Sequence, residues 1–366
     1  GCNDHLVLTR PEHIRGIHDT FLEVGCDVVE TDTFRANRLA IAEYGLEGRV
    51  FEMNREAARI ARQAAHAWSS DERPRFVAGS IGPSGFLPST SDPELGRITY
   101  EALMEVYREQ AEALLEGGVD VLLIETSQDM LEVKAAVTGC RNAAGAKGCP
   151  IQVQVTLDTT GRMLLGTDIG SAMVTLEALG VDVIGLNCST GPEHMREPVR
   201  YLSEHATLPI SVIPNAGIPH NEAGEAVYPL TPQELADAHR EFVEEMGVAA
   251  VGGCCGTTPD HLAAVVAALG GTPRRPTLRE RGGETSLGGV EAGQGRVPRV
   301  SSGIRATDLQ QVPAPTLIGE RVNAQGSRRV KELLLAEDYD GILQVARDQV
   351  EGGAHLLDCL LYTSPS

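Results

Sequence analysis

An α/β fold of repeated strand and helix units, on the plan of a (β/α)8 barrel, is what this 366-residue sequence predicts. Three observations carry the prediction. Aromatic residues make up only 4% while glycine reaches 40 residues, which suits cores of Val, Ile, Leu and Ala with tight turns at the strand ends. One phrase recurs, in which Gly, a small apolar residue and usually Asp lead into a β-branched run. Each copy follows an amphipathic stretch at helical spacing, so the Gly reads as the end of a helix and the apolar run as a buried parallel strand.

In chain order, Thr9 and Glu12 have the spacing of a capping box and predict the start of a helix. Strands follow at GCDVVETDTF from Gly25 and RFVAGSIGP from Arg75. A helix then carries Leu103, Val106, Tyr107 and Leu114 on one face, with Gln110 as a polar break. The next strands are GVDVLLIETS from Gly118, PIQVQVTLD from Pro150, GVDVIGLNCS from Gly180, LPISVIPNAG from Leu208 and GVAAVGGCCG from Gly247. Thr231, Pro232 and Glu234 open the helix before the last of these, and Thr258 with Pro259 opens the one after it.

Seven strands over residues 1–270 are one short of a closed barrel. The chain enters a helix almost at once and does not open with Met, so the first strand is expected upstream of Gly1 and the chain is expected to be a fragment. Residues 271–312, rich in Gly, Pro, Ser and charge, read as a linker. A second unit, residues 313–359, runs from PAPTLIGERVNAQGS through the helical YDGILQVARDQVEGG to a strand at AHLLD, too short to build a core of its own. It is expected to be the truncated start of a second α/β barrel, with residues 360–366 an off-pattern tail.

The charge excludes some functions. With 31 Lys and Arg against 51 Asp and Glu, the net charge of -20 opposes binding to nucleic acid or to anionic membranes. No apolar run approaches the roughly 20 residues of a membrane span, and the chain reads as soluble and cytoplasmic. Its eight cysteines are irregularly spaced, which favours free thiols or metal ligands over a disulfide framework.

Cys188 in GLNCSTGP and the pair Cys254 and Cys255 in VGGCCGTTP fall at the C-terminal ends of predicted strands, the face where barrel enzymes keep their active sites. Adjacent side chains on a regular strand point to opposite faces, but Gly252, Gly253 and Gly256 let the backbone leave that geometry. Three thiolates meeting there would suit Zn²⁺ with one position open. The alternative is three small thiols without a metal, or a vicinal disulfide, and residue spacing leaves both readings open.

DVVETDTF, FVAGSIGP, DVLLIETSQD, IGLNCSTGP, IPNAG and GGCCGTTPDH, in this order, resemble the homocysteine S-methyltransferase family over roughly residues 1–270. Within it the chain is similar to the N-terminal module of the multidomain, cobalamin-dependent methionine synthases. IGERVNAQGS at Ile318 resembles the opening of their pterin-binding domain. The resemblance implies that Cys188, Cys254 and Cys255 are zinc ligands, that Glu125 in LLIETS takes the ammonium of homocysteine and that Asn323 contacts the pterin. Asn215 in IPNAG lies at a strand end, where its amide oxygen could hold the open zinc position without substrate, or form a turn before Gly. Three protein thiolates and a substrate thiolate would give the zinc centre a formal charge of 2 − 4 = −2, which keeps the bound sulfur nucleophilic. Attack on methylcobalamin would then yield methionine, with 5-methyltetrahydrofolate restoring the methyl group.

The expected partners are therefore homocysteine and the cobalamin- and folate-binding domains of a full-length enzyme. The cobalamin itself is expected elsewhere, because no DxHxxG occurs here. Asp32 and Thr33 line the predicted mouth without an assigned role. His5, His13, His18, His194, His220 and His261 lack metal spacing and are expected at the surface, and Cys26, Cys140 and Cys149 read as ordinary thiols. Two alternatives stand beside this reading. One is a stand-alone homocysteine methyltransferase using S-methylmethionine or betaine, which should end near residue 270; the other is a zinc or redox thiol module without catalysis.

Overall fold

A computed structural model describes residues 2–222, 224–270 and 298–361. They fall into two compact units, one holding residues 2–222, 224–270 and 302–305, the other 298–301 and 306–361.

The first unit is built on seven strands, all where the sequence places them: β1 Val28–Glu30, β2 Phe76–Ile81, β3 Val121–Ser127, β4 Ile151–Val155, β5 Val183–Asn187, β6 Ile210–Ile213 and β7 Ala250–Val251. They pair in chain order and every pair is parallel. Helix α1, Pro11–Glu23, precedes β1. One long helix follows each strand: α2 Val50–Trp68, α3 Tyr100–Gly117, α4 Met130–Asn142, α5 Ile169–Leu179, α6 Pro192–His205, α7 Pro232–Glu244 and α8 Pro259–Leu269. The result is a curled parallel half-barrel of the TIM-barrel kind, with β1 and β7 at its edges among the described residues. The curl brings α8 round to the start: Val266 Cγ1 lies 3.0 Å from where a side chain on Gly25, just before β1, would begin.

Strand periodicity divides the side chains. Leu122, Val153, Ile184 and Val212 are buried against the helices and form the main core with Leu103, Tyr107, Leu114, Val137 and Phe242, while Val77 packs in a second cluster with Leu22, Val29 and Ala61. The residues between them point into the barrel, and many are polar: Ser80, Glu125, Gln154, Asn187 and Ser211 are all buried.

Thr231 and Glu234 form the expected reciprocal cap of α7. The start of α1 differs from expectation. Its N-cap is Arg10, with no side-chain hydrogen bond, because Thr9 closes a preceding turn of helix, Leu6–Thr9, and its hydroxyl donates to the His5 carbonyl. Two histidines expected at the surface are buried. His18 shares the inner face of α1 with Ile14 and Leu22, and burial pushes its pKa down to about 4. His261 works as a cap: its Nδ1 accepts from the Thr258 amide at 3.2 Å while Nε2 lies 2.9 Å from the Leu230 carbonyl. Between β6 and α7 a short antiparallel pair, His220–Glu222 with Glu225–Val227, was not foreshadowed by the sequence pattern.

In the second unit, β8 Ile318–Asn323 pairs in parallel with β9 Leu356–Leu360, and helices α9 Arg328–Leu335 and α10 Tyr339–Glu351 connect them. Val322, Val330, Ile342 and Val345 form its small core. This is a strand–helix–helix–strand piece; a second barrel is not shown. Of the expected linker, residues 271–297 lie outside the described residues, and Arg299–Ser301 pairs with Ala306–Asp308 as an antiparallel hairpin. Residues 362–366 of the expected tail are also outside them.

Gly139 sets the approach of α4 to α3. A Cβ there would sit 2.4 Å from the Met104 carbonyl oxygen and 2.9 Å from the Arg108 nitrogen, both backbone atoms that cannot turn aside. Gly139→Ala gains about 1 kcal/mol of helix propensity, whereas forcing two packed helices apart costs about 1–3 kcal/mol. The clash should win, lowering the urea midpoint; a raised midpoint would refute the close approach.

Candidate metal centre and its neighbouring carboxylates

Cys188 directly follows β5, in a turn where both it and Ser189 adopt left-handed backbone, φ 61° and 62°. Such geometry costs a non-glycine residue roughly 1–3 kcal/mol and persists only where neighbours enforce it. Here the Cys188 amide donates to the Ile213 carbonyl at 3.1 Å, and the Thr190 amide to the Cys188 carbonyl at 2.7 Å. Cys254 and Cys255 sit in a turn after β7. The Cys254 amide donates to the Pro214 carbonyl, and the Thr257 amide and hydroxyl close on the Cys254 carbonyl. Gly256 must be glycine: its φ is +78°, and a Cβ would fall 2.1 Å from Cγ of Tyr228.

Asn215 braces these two turns. Its amide donates to the Thr190 carbonyl at 3.1 Å, and its Oδ1 accepts from the Cys255 amide at 3.2 Å. In this arrangement the side-chain oxygen proposed to hold an open metal position is engaged in placing Cys255.

The three sulfurs converge. Cys188 Sγ and Cys255 Sγ are 3.8 Å apart, Cys254 Sγ and Cys255 Sγ 3.9 Å, and all three lie within 4.8 Å of one another. All are free thiols, so the vicinal-disulfide alternative is not adopted. A tetrahedral zinc with bonds of about 2.3 Å separates its sulfurs by about 3.8 Å, so this donor set fits the metal. The thiols also perturb one another. Hydrogen bonds from Cys188 and Cys254 hold Cys255 well below the ordinary thiol range, while those to Cys188 and Cys255 push Cys254 far above it. Ionising all three thiols this close together calls for a positive charge among them.

Glu125 lies near the end of β3 and is buried. Ser80 Oγ donates to its Oε1 at 2.6 Å and Asn187 Nδ2 to its Oε2 at 3.1 Å. Both donors are neutral, and burial pushes the Glu125 pKa up, with the charge of nearby Cys255 adding to the rise and the Ser80 hydrogen bond opposing it. Glu30, on the inward face of β1, was not singled out in the sequence. Solvent reaches it, but protein surrounds it, and that burial with the neighbouring Glu125 carboxylate pushes its pKa up to about 8. Asp32 is raised to about 6 by burial and by Asp4, and the Thr33 hydroxyl donates to the Ser80 carbonyl. Asn323 belongs to the second unit: its Nδ2 donates to Asp358 and its Oδ1 accepts from the Gln325 and Gly326 amides.

Fold and centre together define a TIM-barrel-like α/β protein with a three-thiol metal-type site at the C-terminal ends of its strands. The profile of the family described as homocysteine S-methyltransferase matches residues 1–269, and the chain belongs to that family. It is 44% identical, over 99% of its length, to the methionine synthases of Mycobacterium leprae and Mycobacterium tuberculosis, and spans 29% of the length of each. Among solved structures it resembles the homocysteine methyltransferase MmuM of Escherichia coli. With the metallated form the TM-score is 0.60 at 25% identity, covering 72% of this chain and 86% of that one. With the apo form it is 0.56 at 26% identity, covering 73% and 90%.

Glu30 makes stability depend on pH. An unfolded Glu30 titrates near 4.5 and the folded one at about 8, so between these values the folded state binds more protons. Stability is therefore greatest at the acid end of that window and falls as pH rises through it. Glu30→Gln should flatten the fall in urea midpoint between about pH 5 and pH 8; parallel profiles for the two proteins would show that Glu30 ionises freely.

Proposed function

We propose that the first unit binds homocysteine, with its thiol at a zinc ion held by Cys188, Cys254 and Cys255 and its ammonium at Glu125, and that the whole protein methylates it to methionine. The observation that carries this reading is the set of three sulfurs within 4.8 Å of one another, near a buried carboxylate that accepts from the neutral Ser80 and Asn187. Membership of the homocysteine S-methyltransferase family supports the substrate. Zinc at the three thiolates supplies a Lewis acid that lowers the pKa of an incoming thiol, which is otherwise mostly protonated near neutral pH.

The chain's own groups do the rest. Glu125 resists ionisation while it stands alone in its buried site. A substrate ammonium there favours the ionised form and compensates its buried charge. Ser80 and Asn187 each occupy one carboxylate oxygen and fix the plane in which the other lone pairs are offered. Asn215 and the turns around Cys188 and Cys254 hold the sulfurs so that binding requires little rearrangement.

Methylcobalamin as methyl carrier and 5-methyltetrahydrofolate as donor follow from the likeness to the methionine synthases, with cobalamin bound by a further domain. The second unit is on this reading the start of a pterin-binding barrel, with Asn323 facing the folate. The alignment of 99% of the chain with those relatives favours this over a stand-alone enzyme using S-methylmethionine or betaine.

Zinc X-ray absorption of the metal-loaded chain tests the proposal. Homocysteine should add a fourth sulfur to the zinc shell, and an unchanged shell would refute substrate binding at the metal and favour a non-catalytic thiol module. Cys254→Ser should abolish stoichiometric zinc, so full zinc content in that variant would remove Cys254 from the ligand set.

A further inference from the structure

Opposite the end of β4, strand β3 carries one residue too many. Ile124 pairs with Val153 and Ser127 with Val155, so three steps on β3 answer two on β4. The surplus falls at Glu125 and Thr126, and Thr126 takes left-handed backbone with φ 56°. A bulge of this kind withdraws a backbone N–H from the ladder and re-aims a side chain. What receives the withdrawn group is Asn187, which is fully buried at the end of β5. Its Oδ1 accepts from the Thr126 amide at 2.8 Å, and its Nδ2 lies 2.8 Å from Thr126 Oγ1 and 3.1 Å from Glu125 Oε2. The Thr156 hydroxyl donates to the Asn187 carbonyl at 2.9 Å, which ties the residue to the end of β4 as well. The next residue in the chain is Cys188.

We infer that Asn187 is the positioning residue that makes Glu125 selective for the α-amino group: it closes the β3 bulge, fixes the carboxylate through Oε2, and locks it to the strand that carries Cys188. A side-chain amide serves both ends of this arrangement, accepting from Thr126 N–H through its oxygen and donating to Glu125 through its nitrogen at the same time. Aspartate keeps the acceptor and loses the donor; alanine loses both. The inference rests on the reading that Glu125 takes the substrate ammonium and the cysteines its thiol. It adds that the registration between these two points is set by a residue that touches neither the metal nor the substrate.

The experiment is calorimetric titration of the zinc-loaded 366-residue chain with homocysteine and with 4-sulfanylbutanoate, the same molecule without its amino group. Zinc content is measured in parallel. The parent protein should bind homocysteine roughly tenfold to a hundredfold more tightly, the range of a charge-assisted hydrogen bond. In Asn187→Ala the two affinities should converge to within about threefold, the desamino thiol binding as in the parent and zinc remaining stoichiometric. Asn187→Asp, which can still satisfy Thr126, should also lose the discrimination and carries the test if the alanine variant does not fold. Retained discrimination in a zinc-replete variant overturns the inference, as does loss of zinc together with both thiols, which would mark Asn187 as support for the metal site instead. A parent chain that binds both thiols equally overturns the ammonium role of Glu125 and the inference with it, whereas discrimination in the parent alone leaves that role standing.

Discussion

Three thiols within 4.8 Å of one another cannot all carry negative charge unless a cation lies among them, and much of the barrel mouth answers to that constraint. Bringing Cys188 to the pair requires left-handed backbone at Cys188 and Ser189. Bringing Cys254 and Cys255 to one side requires a tight turn closed on the Cys254 carbonyl, with a glycine at 256 where Tyr228 leaves no room for a side chain. Both turns hydrogen-bond to a third segment. Each is held by backbone hydrogen bonds to the segment Ile213 to Ala216, which lies between them and contributes Asn215 to the brace. The convergence of the sulfurs is thus held by backbone geometry anchored on a neighbouring strand end, while their charge calls for a cation.

The same logic governs the carboxylates. A buried glutamate with two neutral donors is an incomplete arrangement, because hydroxyl and amide groups stabilise the charge less than a cation would. Glu125 is held above its ordinary range chiefly by its burial, and Glu30 by its protein surroundings and by the charge of Glu125 beside it. A ligand that carries a positive charge at one end and a thiol at the other would meet both demands at once, and homocysteine is such a molecule.

Four of the seven strands were legible because an apolar run follows a glycine close to the end of the preceding helix, and the other three because a β-branched run fills the gap between helical stretches. Gly118 and Gly180 do end their helices in left-handed conformation. The cysteines were legible because unusual residue types stood at strand ends. Thr9 was misread because a capping pattern cannot reveal that the hydroxyl is already used by the turn before it. His18 and His261 were misread because a histidine with a private hydrogen-bond partner or an apolar helix face looks, in sequence, like one in water. Asn187, Ser80 and Glu30 went unremarked for a deeper reason: their roles depend on a partner, Glu125, that lies 45 to 95 positions away. A bulge, too, exists only relative to the strand beside it, so nothing local to Glu125 and Thr126 announces one.

Strand periodicity explains how a site of this kind can sit inside a stable barrel. Outward residues such as Val77, Leu122, Val153 and Val212 carry the packing against helices, and alternate ones face the interior. The two sets are separate in space although interleaved in sequence, so polar and strained groups can collect on one face without opening the core on the other. The bulge in β3 uses the one freedom that this alternation leaves. By adding its extra residue after Glu125, it keeps Ile124 in the helix-facing core and Ser127 paired with Val155 while freeing the Thr126 amide to meet Asn187.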